Sequence, residues 1–285
     1  MNSLRTEPRA LRTALCALAF ALAILALFAA TVIGRETTER RVATAVYPEA
    51  TESASIEGAP DVDDILRSYD DLYNSTGTKA SVEITIVTPK KTRNLELRFW
   101  ARGEDKALMV VDAPPRDAGT ATLKVDKNLW NYLPKISRTI RVPPSMMMGS
   151  WMGSDLTNDD IVRDSSYEDD YDSEVVGRTD DPPGWKLRMT ARPEAVGLWN
   201  SVEMVFADDA WLPVMAQFYD RKDRLSRTMT FGEVKVMNGR RVPTLITIIP
   251  EREEGRRTEF RYLDVEFDVE LSDDTFSLSR LERTH

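Results

Sequence analysis

The chain has 285 residues, of which 42% are hydrophobic and 30% charged, and its formal net charge is −9. This composition is typical of a globular protein rather than a disordered one. The negative charge disfavours nucleic acid and anionic lipid surfaces as partners. Cys16, in the N-terminal apolar run, is the only cysteine, and His285, the last residue, is the only histidine. The sequence between them therefore offers no disulfide, no thiolate nucleophile and no histidine base. We therefore expect no enzyme, no cofactor and no metal.

The N-terminal region resembles an export signal. Arg5, Arg9 and Arg12 precede an alanine- and leucine-rich run at residues 13–34. A basic flank before an apolar run is typical of a signal peptide, and the run is also long enough for a membrane anchor. Both interpretations place the rest of the chain outside the cytoplasm. The sequence thus predicts a signal or anchor at 1–34, a flexible tether at 35–59 and one folded domain at 60–285.

The first folded element is a predicted amphipathic helix at residues 60–74. Pro60 suits the first turn, and the acidic residues that follow it suit the positive end of the helix dipole. Apolar side chains recur every three or four residues, which predicts one buried stripe. The stripe comprises Val62, Ile65, Leu66, Tyr69, Leu72 and Tyr73.

From residue 80 onward the hydrophobic period changes from about four to two, which indicates β-strands with one apolar face. Such strands pair antiparallel and curl into an open or closed barrel or split into a sandwich. Turn-forming residues separate them. The predicted strands are 80–87, 95–100, 107–112, 121–126, 128–133, 139–142, 185–192, 201–206, 213–220, 227–237, 243–249 and 258–270.

Two groups of apolar residues are candidates for a binding site. The first lies in a glycine-containing loop and comprises Met146, Met147, Met148, Trp151 and Met152. Methionine adapts to irregular apolar partners, so this group predicts either a plug in the mouth of the β-structure or a lid that faces a ligand.

The second group is the pair Trp130 and Tyr132, which share one face of a predicted strand. This pair either covers a sheet edge or forms the wall of a cavity.

Three further segments interrupt or end the strand pattern. Thr157 and Asp160 have the spacing of a capping box and predict a short helix at 158–164. The acidic stretch 165–174 is predicted to be solvated. Residues 272–283 are predicted to form a turn or short helix, with Phe276, Leu278 and Leu281 packed inward.

The acidic clusters give little support for catalysis or metal binding. They lie among turn residues, so we interpret them as solvated loops or helix caps. Asp155, Asn158, Asp159 and Asp160 could offer oxygens to calcium, but the segment lacks the glycine and the distal glutamate of a calcium loop. Ser150 is without the strand–turn–helix context of a serine nucleophile.

The central region resembles a known family. The resemblance lies in residues 115–119 with Leu123, in the run 128–134, in Arg138, and in residues 152–156 with 160–161. These residues, in this order, resemble the sequences of the outer-membrane lipoprotein-sorting family, whose members are relatives of the periplasmic lipoprotein carrier LolA. The similarity extends over roughly residues 60–283.

The resemblance implies a mainly β fold with a few helices: an antiparallel, unclosed half-barrel of about 11–12 strands with a helical lid. It implies a periplasmic carrier in a Gram-negative bacterium that moves lipids or lipoprotein acyl chains between the inner and outer membranes. The implied partner is an inner-membrane exporter of the resistance-nodulation type. An envelope sensor or accessory protein-binding module without transported cargo remains the alternative.

Overall fold

The computed structural model describes residues 56–73, 75–162, 167–193 and 199–283. The predicted signal or anchor at 1–34 lies outside the described residues, as does most of the predicted tether. Within these ranges no helix combines the length and the apolar character needed to cross a membrane.

The described residues form thirteen strands in one antiparallel sheet. The strand order is β6-β5-β4-β3-β2-β1-β13-β12-β11-β10-β9-β8-β7, so β6 and β7 are the two edges and the sheet is not closed. The mainly β, unclosed architecture is thus confirmed, with slightly more strands than the 11–12 predicted. The strands are β1 Thr78–Thr88, β2 Lys91–Arg102, β3 Lys106–Ala113, β4 Ala121–Val125, β5 Asn128–Leu133, β6 Arg138–Arg141, β7 Tyr171–Asp180, β8 Pro183–Ala191, β9 Trp199–Phe206, β10 Pro213–Asp220, β11 Leu225–Met237, β12 Arg240–Pro250 and β13 Arg257–Glu266.

The edge strand β7 was not predicted, because the acidic stretch 165–174 lacks an apolar alternation. A short helix α3 (Tyr167–Asp170) leads directly into β7, and Tyr167 and Tyr171 are both buried. Tyr171 is the only fully buried residue of β7. The prediction of a wholly solvated stretch is therefore wrong: Tyr167 and Tyr171 join the core, while Asp172 and Glu174 are exposed on the edge strand.

Helix α1 (Val62–Tyr73) packs on the face of the sheet that we call the inner face. Ile65, Leu66, Tyr69 and Tyr73 are buried, which confirms the predicted stripe. The Tyr73 hydroxyl donates a hydrogen bond of 3.0 Å to the carbonyl oxygen of Pro243 in β12. Helix α1 thereby covers the inner face on the β7–β13 side.

The opposite, outer face is covered near β3–β6 by the C-terminal segment. This segment contains a 3-10 helix, Asp273–Phe276, and helix α4, Leu278–Glu282. Phe276 and Leu281 are buried there as predicted, whereas Leu278 is 45% exposed. The resulting outer cluster comprises Leu108, Val110, Ala121, Leu123, Tyr132, Phe276 and Leu281.

The connection between the two sheet edges closes over the inner face. The chain leaves the sheet at β6 and returns at β7, which lie at opposite edges. Within this connection we call residues 143–157 the methionine loop; helix α2, Asn158–Val162, follows it. Trp151, Leu156, Ile161 and Val162 of the connection are buried in the inner-face core. The connection between the two edges therefore covers the inner face of the sheet.

Candidate functional site

The methionine loop is a folded unit held by its own hydrogen bonds. The Trp151 amide donates to the carbonyl of Leu156 at 2.7 Å, and the Asp159 amide donates to the carbonyl of Met147 at 2.8 Å. Met152 and Gly153 adopt φ values of 50° and 79°, which produce the tight turn at the tip. The loop is therefore not a loose flap.

Trp151 fills most of the space beneath the loop. Its side chain is 1% exposed, and its Nε1 donates to Thr122 Oγ1 at 3.2 Å. The cavity that remains between its ring and the inner face has a volume of about 10 Å³, roughly that of one water. The apolar residues around this cavity, besides Trp151, are Val82, Ile84, Leu97, Phe99, Met109, Phe260 and Tyr262.

The methionines of the loop divide between core and surface. Met147 and Met152 are half-buried and pack on the inner-face core. Met146 and Met148 are 60% and 40% exposed. Trp151 therefore plugs the β-structure, and Met146 and Met148 present apolar surface to solvent. That the loop faces a ligand stays a prediction.

Trp130 and Tyr132 lie on the other side of the sheet from Trp151. In the strand register Trp130 is opposite Leu123 and Tyr132 is opposite Ala121, and all four belong to or pack on the outer cluster. Residues directly opposite in neighbouring strands share one face. Of the two predicted roles, covering the sheet is therefore the one that matches their position, and the structure does not bring them together with the methionine loop.

A buried ion pair fixes the C-terminal end of the loop. Asp160 caps helix α2 reciprocally with Thr157: the Thr157 amide donates to Asp160 at 2.7 Å, and the Asp160 amide donates to Thr157 Oγ1 at 3.0 Å. The predicted cap is confirmed, but Asp160 is not solvated. Its side chain is fully buried 3.1 Å from Arg227, whose guanidinium stacks on Trp199 at 5.2 Å.

Asp155 makes a second anchor. Its side chain is 2% exposed, lies 2.8 Å from Arg256 and accepts a 2.7 Å hydrogen bond from the hydroxyl of Thr258. The interpretation of this carboxylate as a solvated loop residue is therefore wrong. Because Asp155 and Asp160 are engaged by arginines, neither is available to calcium. Across the described ranges no three His, Cys, Asp or Glu residues are grouped so as to hold a metal ion.

A cleft of about 450 Å³ opens beside Trp151, in the size range of small-molecule sites. Its walls are the β3–β4 connection, the end of β5 with the following 3-10 helix Pro134–Ile136, and the tip of the methionine loop. Its apolar residues are Val111, Leu133, Pro134, Ile136, Trp151 and Met152, and its polar ones are Arg93, Arg116, Asp117, Thr120, Asn131 and Lys135.

Arg93 connects this cleft to the tip of the loop. Its Nη1 donates to the carbonyl oxygen of Met152 at 2.7 Å, and its Nη2 lies 3.2 Å from Asp117. Both side chains of this ion pair are largely buried, with 22% and 20% exposed. Nothing in the sequence around Arg93 marks this role, because its partners lie 24 and 59 residues further along the chain.

Comparison with known proteins places the chain in a family. A family model described as an uncharacterized protein matches residues 103–283, more than half of the chain. The chain belongs to this family. Among solved structures it is similar to a DUF1329 family protein from Desulfovibrio piger, with 26% identity and a TM-score of 0.69 over 77% of this chain and 96% of that one. No curated protein matches the chain.

Two further structures link the family to the predicted fold. An outer membrane lipoprotein-sorting protein domain from Vibrio parahaemolyticus is 20% identical, with a TM-score of 0.63 over 73% of this chain and 92% of that one. A LolA superfamily protein from Nitrosomonas europaea is 20% identical, with a TM-score of 0.64 over 78% of this chain and 100% of that one. The predicted resemblance is confirmed, and at this identity the two structures establish the LolA-like fold.

Proposed function

We propose that the protein is a periplasmic carrier of hydrophobic cargo, either a lipid or the acyl chains of a lipoprotein, between the inner and outer membranes. One observation carries the proposal: Trp151, on a loop that crosses the open side of the sheet, occupies the apolar inner face and also borders an open cleft. The LolA-like fold supports the same function. The cargo-binding residues that we propose are Met146, Met147, Met148, Trp151 and Met152.

Cargo binding requires Trp151 to move. The cavity of about 10 Å³ beneath its ring cannot hold an alkyl chain. The adjoining cleft offers an entry route, and an alkyl chain that replaced the indole would gain about 0.8 kcal/mol for each buried CH₂ group. In the empty protein the indole keeps water off the inner face, so Trp151 and the cargo compete for one site.

Loading and release depend on other proteins. Adaptable methionines accept apolar cargo without selecting it strongly, so the loop itself does not set the direction of transfer. We propose that an inner-membrane exporter of the resistance-nodulation type delivers the cargo. The predicted signal or anchor at residues 1–34 would place the folded domain beside it.

The filled inner face also favours a second candidate. With Trp151 in place the space beneath the loop holds no more than a water molecule. An envelope sensor or accessory protein that binds another protein, without cargo, would have such a closed inner face.

Lipid extraction from the native protein distinguishes the two candidates. The protein would be purified from its source without detergent, extracted with organic solvent and examined by mass spectrometry, beside an unrelated periplasmic protein purified in the same way. A carrier is expected to bring a lipid in near-stoichiometric amount above that background. Protein that is free of lipid, and that binds no fluorescent fatty acid in solution, would refute the carrier function.

A further inference from the structure

The sequence around the cleft differs in charge from the rest of the chain. Residues 127–154 contain no Asp or Glu, although the chain has 47 acidic residues against 38 basic ones. The same segment contains four cations: Lys127, Lys135, Arg138 and Arg141. The chain therefore has a 28-residue segment whose only charged residues are cations, and this segment contains residues 143–154 of the methionine loop.

The fold adds further cations to one end of this segment. Arg93, Arg116 and Lys135 line the cleft, and Asp117 is the only carboxylate among its lining residues. Arg93 and Arg116 share Asp117, at 3.2 Å each. Lys135 forms no ion pair with any carboxylate in the described part of the chain, so the cleft has more positive charge than its own residues neutralise.

The edge strand β6 adds to the same side. Arg138 lies opposite Leu133, a cleft-lining residue, in the register of β5 and β6, so the two share a face. The neighbouring Ile136 and Ile140 are 57% and 45% exposed. The end of β5 and strand β6 therefore bring exposed cations and exposed apolar side chains together beside the cleft.

We infer that the cleft binds the phosphate of an anionic lipid head group, whose acyl chain extends under Trp151 onto the inner face. This inference rests on the proposed carrier function and specifies its cargo. Guanidinium and ammonium groups are the side chains that recognise phosphate oxygens. The geometry suits an amphiphile, because Trp151 borders both the charged cleft and the apolar cavity, so its displacement joins the two.

Three compounds test the inference in the full-length protein, at concentrations below the critical micelle concentrations of the lipids. Lysophosphatidylglycerol and lysophosphatidylcholine with the same myristoyl chain differ in net charge, and glycerol 3-phosphate carries the phosphate without the chain. We expect the anionic lysolipid to bind about tenfold more tightly than the zwitterionic one at low salt, and this ratio to fall as salt screens the cations. Glycerol 3-phosphate alone should bind at least a hundredfold more weakly.

A matched pair of lysine variants shows which end of the acid-free segment binds the lipid head group. Lys135 follows β5 and Lys127 precedes it, so the six-residue strand separates them by about 20 Å. Both are exposed lysines of the same acid-free segment. Lys135→Ala should weaken lysophosphatidylglycerol binding roughly threefold, as expected for an exposed ion pair, and Lys127→Ala should leave it unchanged.

Each outcome has a separate meaning. Equal affinity for the two lysolipids would overturn the head-group inference and leave the carrier function intact. Failure of both to bind would overturn the carrier function itself. An equal loss in Lys127→Ala and Lys135→Ala would show general attraction to a positive surface, and tight binding of glycerol 3-phosphate would show a site for free phosphate; either result would refute the head-group site.

Discussion

The guanidinium of Arg93 donates a 2.7 Å hydrogen bond to the carbonyl oxygen of Met152, and this contact joins strand β2 to the tip of the methionine loop. At the other end of the same loop, Asp155 and Asp160 are held by Arg256 and Arg227. The loop is thus fixed firmly at its base and by one side chain at its tip.

Removing the tip contact should loosen the loop. Arg93→Ala eliminates the hydrogen bond to Met152 and the ion pair with Asp117, a contact of about 1.5–3 kcal/mol for a charged donor. Amide hydrogen exchange in residues 146–156 should accelerate at least fivefold. Arg98→Ala is the matched control, because Arg98 also lies in β2 and pairs with Asp112 of β3 rather than with the loop. Unchanged exchange in Arg93→Ala would show that Arg93 does not hold the loop closed.

Shortening the side chain of Trp151 should lower the stability of the protein and raise its affinity for cargo. Trp151→Ala leaves a cavity against Val82, Leu97 and the other inner-face residues, and should lower the free energy of unfolding by about 3–5 kcal/mol. If cargo competes with the indole, the variant should bind a fluorescent fatty acid more tightly than the natural protein.

Phe276→Ala is the control for that experiment. Phe276 is a buried aromatic residue of the outer cluster, so its truncation should also lower stability in urea denaturation. It should not raise fatty-acid affinity. A Trp151→Ala protein that is folded but gains no affinity would mean that the inner face is an ordinary core.

The buried ion pair at the base of the loop should be sensitive to the loss of one partner. Arg227→Met leaves the carboxylate of Asp160 buried without its cation, which should cost about 3–5 kcal/mol of unfolding free energy. The double variant with Asp160→Asn should cost less than the sum of the single changes, because the two side chains interact. Asp112→Asn, which breaks the exposed pair with Arg98, should cost at most about 1 kcal/mol. Additive losses in the double variant would contradict a coupled pair.

The C-terminal segment should become less firmly attached in acid. Hydrogen bonds from Lys106 and Arg102 lower the pKa of Asp273 from 3.8 to about 2. A carboxyl whose pKa is lower in the folded protein stabilises it above its unfolded pKa, and this stabilisation disappears as the pH falls from about 4 to about 2. Thermal unfolding of Asp273→Asn should therefore occur below that of the natural protein at pH 7, with a difference that vanishes near pH 2.

Glu254→Gln, an exposed carboxyl in the β12–β13 turn, controls for the general effect of removing a charge. It should follow the natural protein across the same pH range. A pH-independent difference for Asp273→Asn would show that Asp273 acts through packing rather than through its charge.

The strand pattern could be predicted because most strands bury only one face. In β1 and β2 the apolar residues alternate strictly, and their positions were predicted to within a few residues. β7 was missed because an edge strand with a single buried residue, Tyr171, has no such alternation. Helix α2 was predicted because its capping residues are neighbours in the sequence.

The features of the site that were missed depend on long-range contacts. Alternation shows that Trp130 and Tyr132 share a face, but not which face points toward the loop. The run Leu108–Val111 is apolar at every position, a pattern typical of strands covered on both sides, and could have indicated the outer cluster. The burial of Asp155 and Asp160 could not be predicted, since Arg256 and Arg227 are 101 and 67 residues away.

The order of the strands also has a consequence for how the chain could be divided. Strands β1–β6 and β7–β13 are two consecutive meanders that meet along one seam, the pairing of β1 with β13. Helix α1 belongs to the first meander but packs on β12 and β7 of the second. A break in the polypeptide between β6 and β7 would therefore leave two fragments with a complete set of mutual contacts, which makes this position suited to reassembly of the protein from separately expressed pieces.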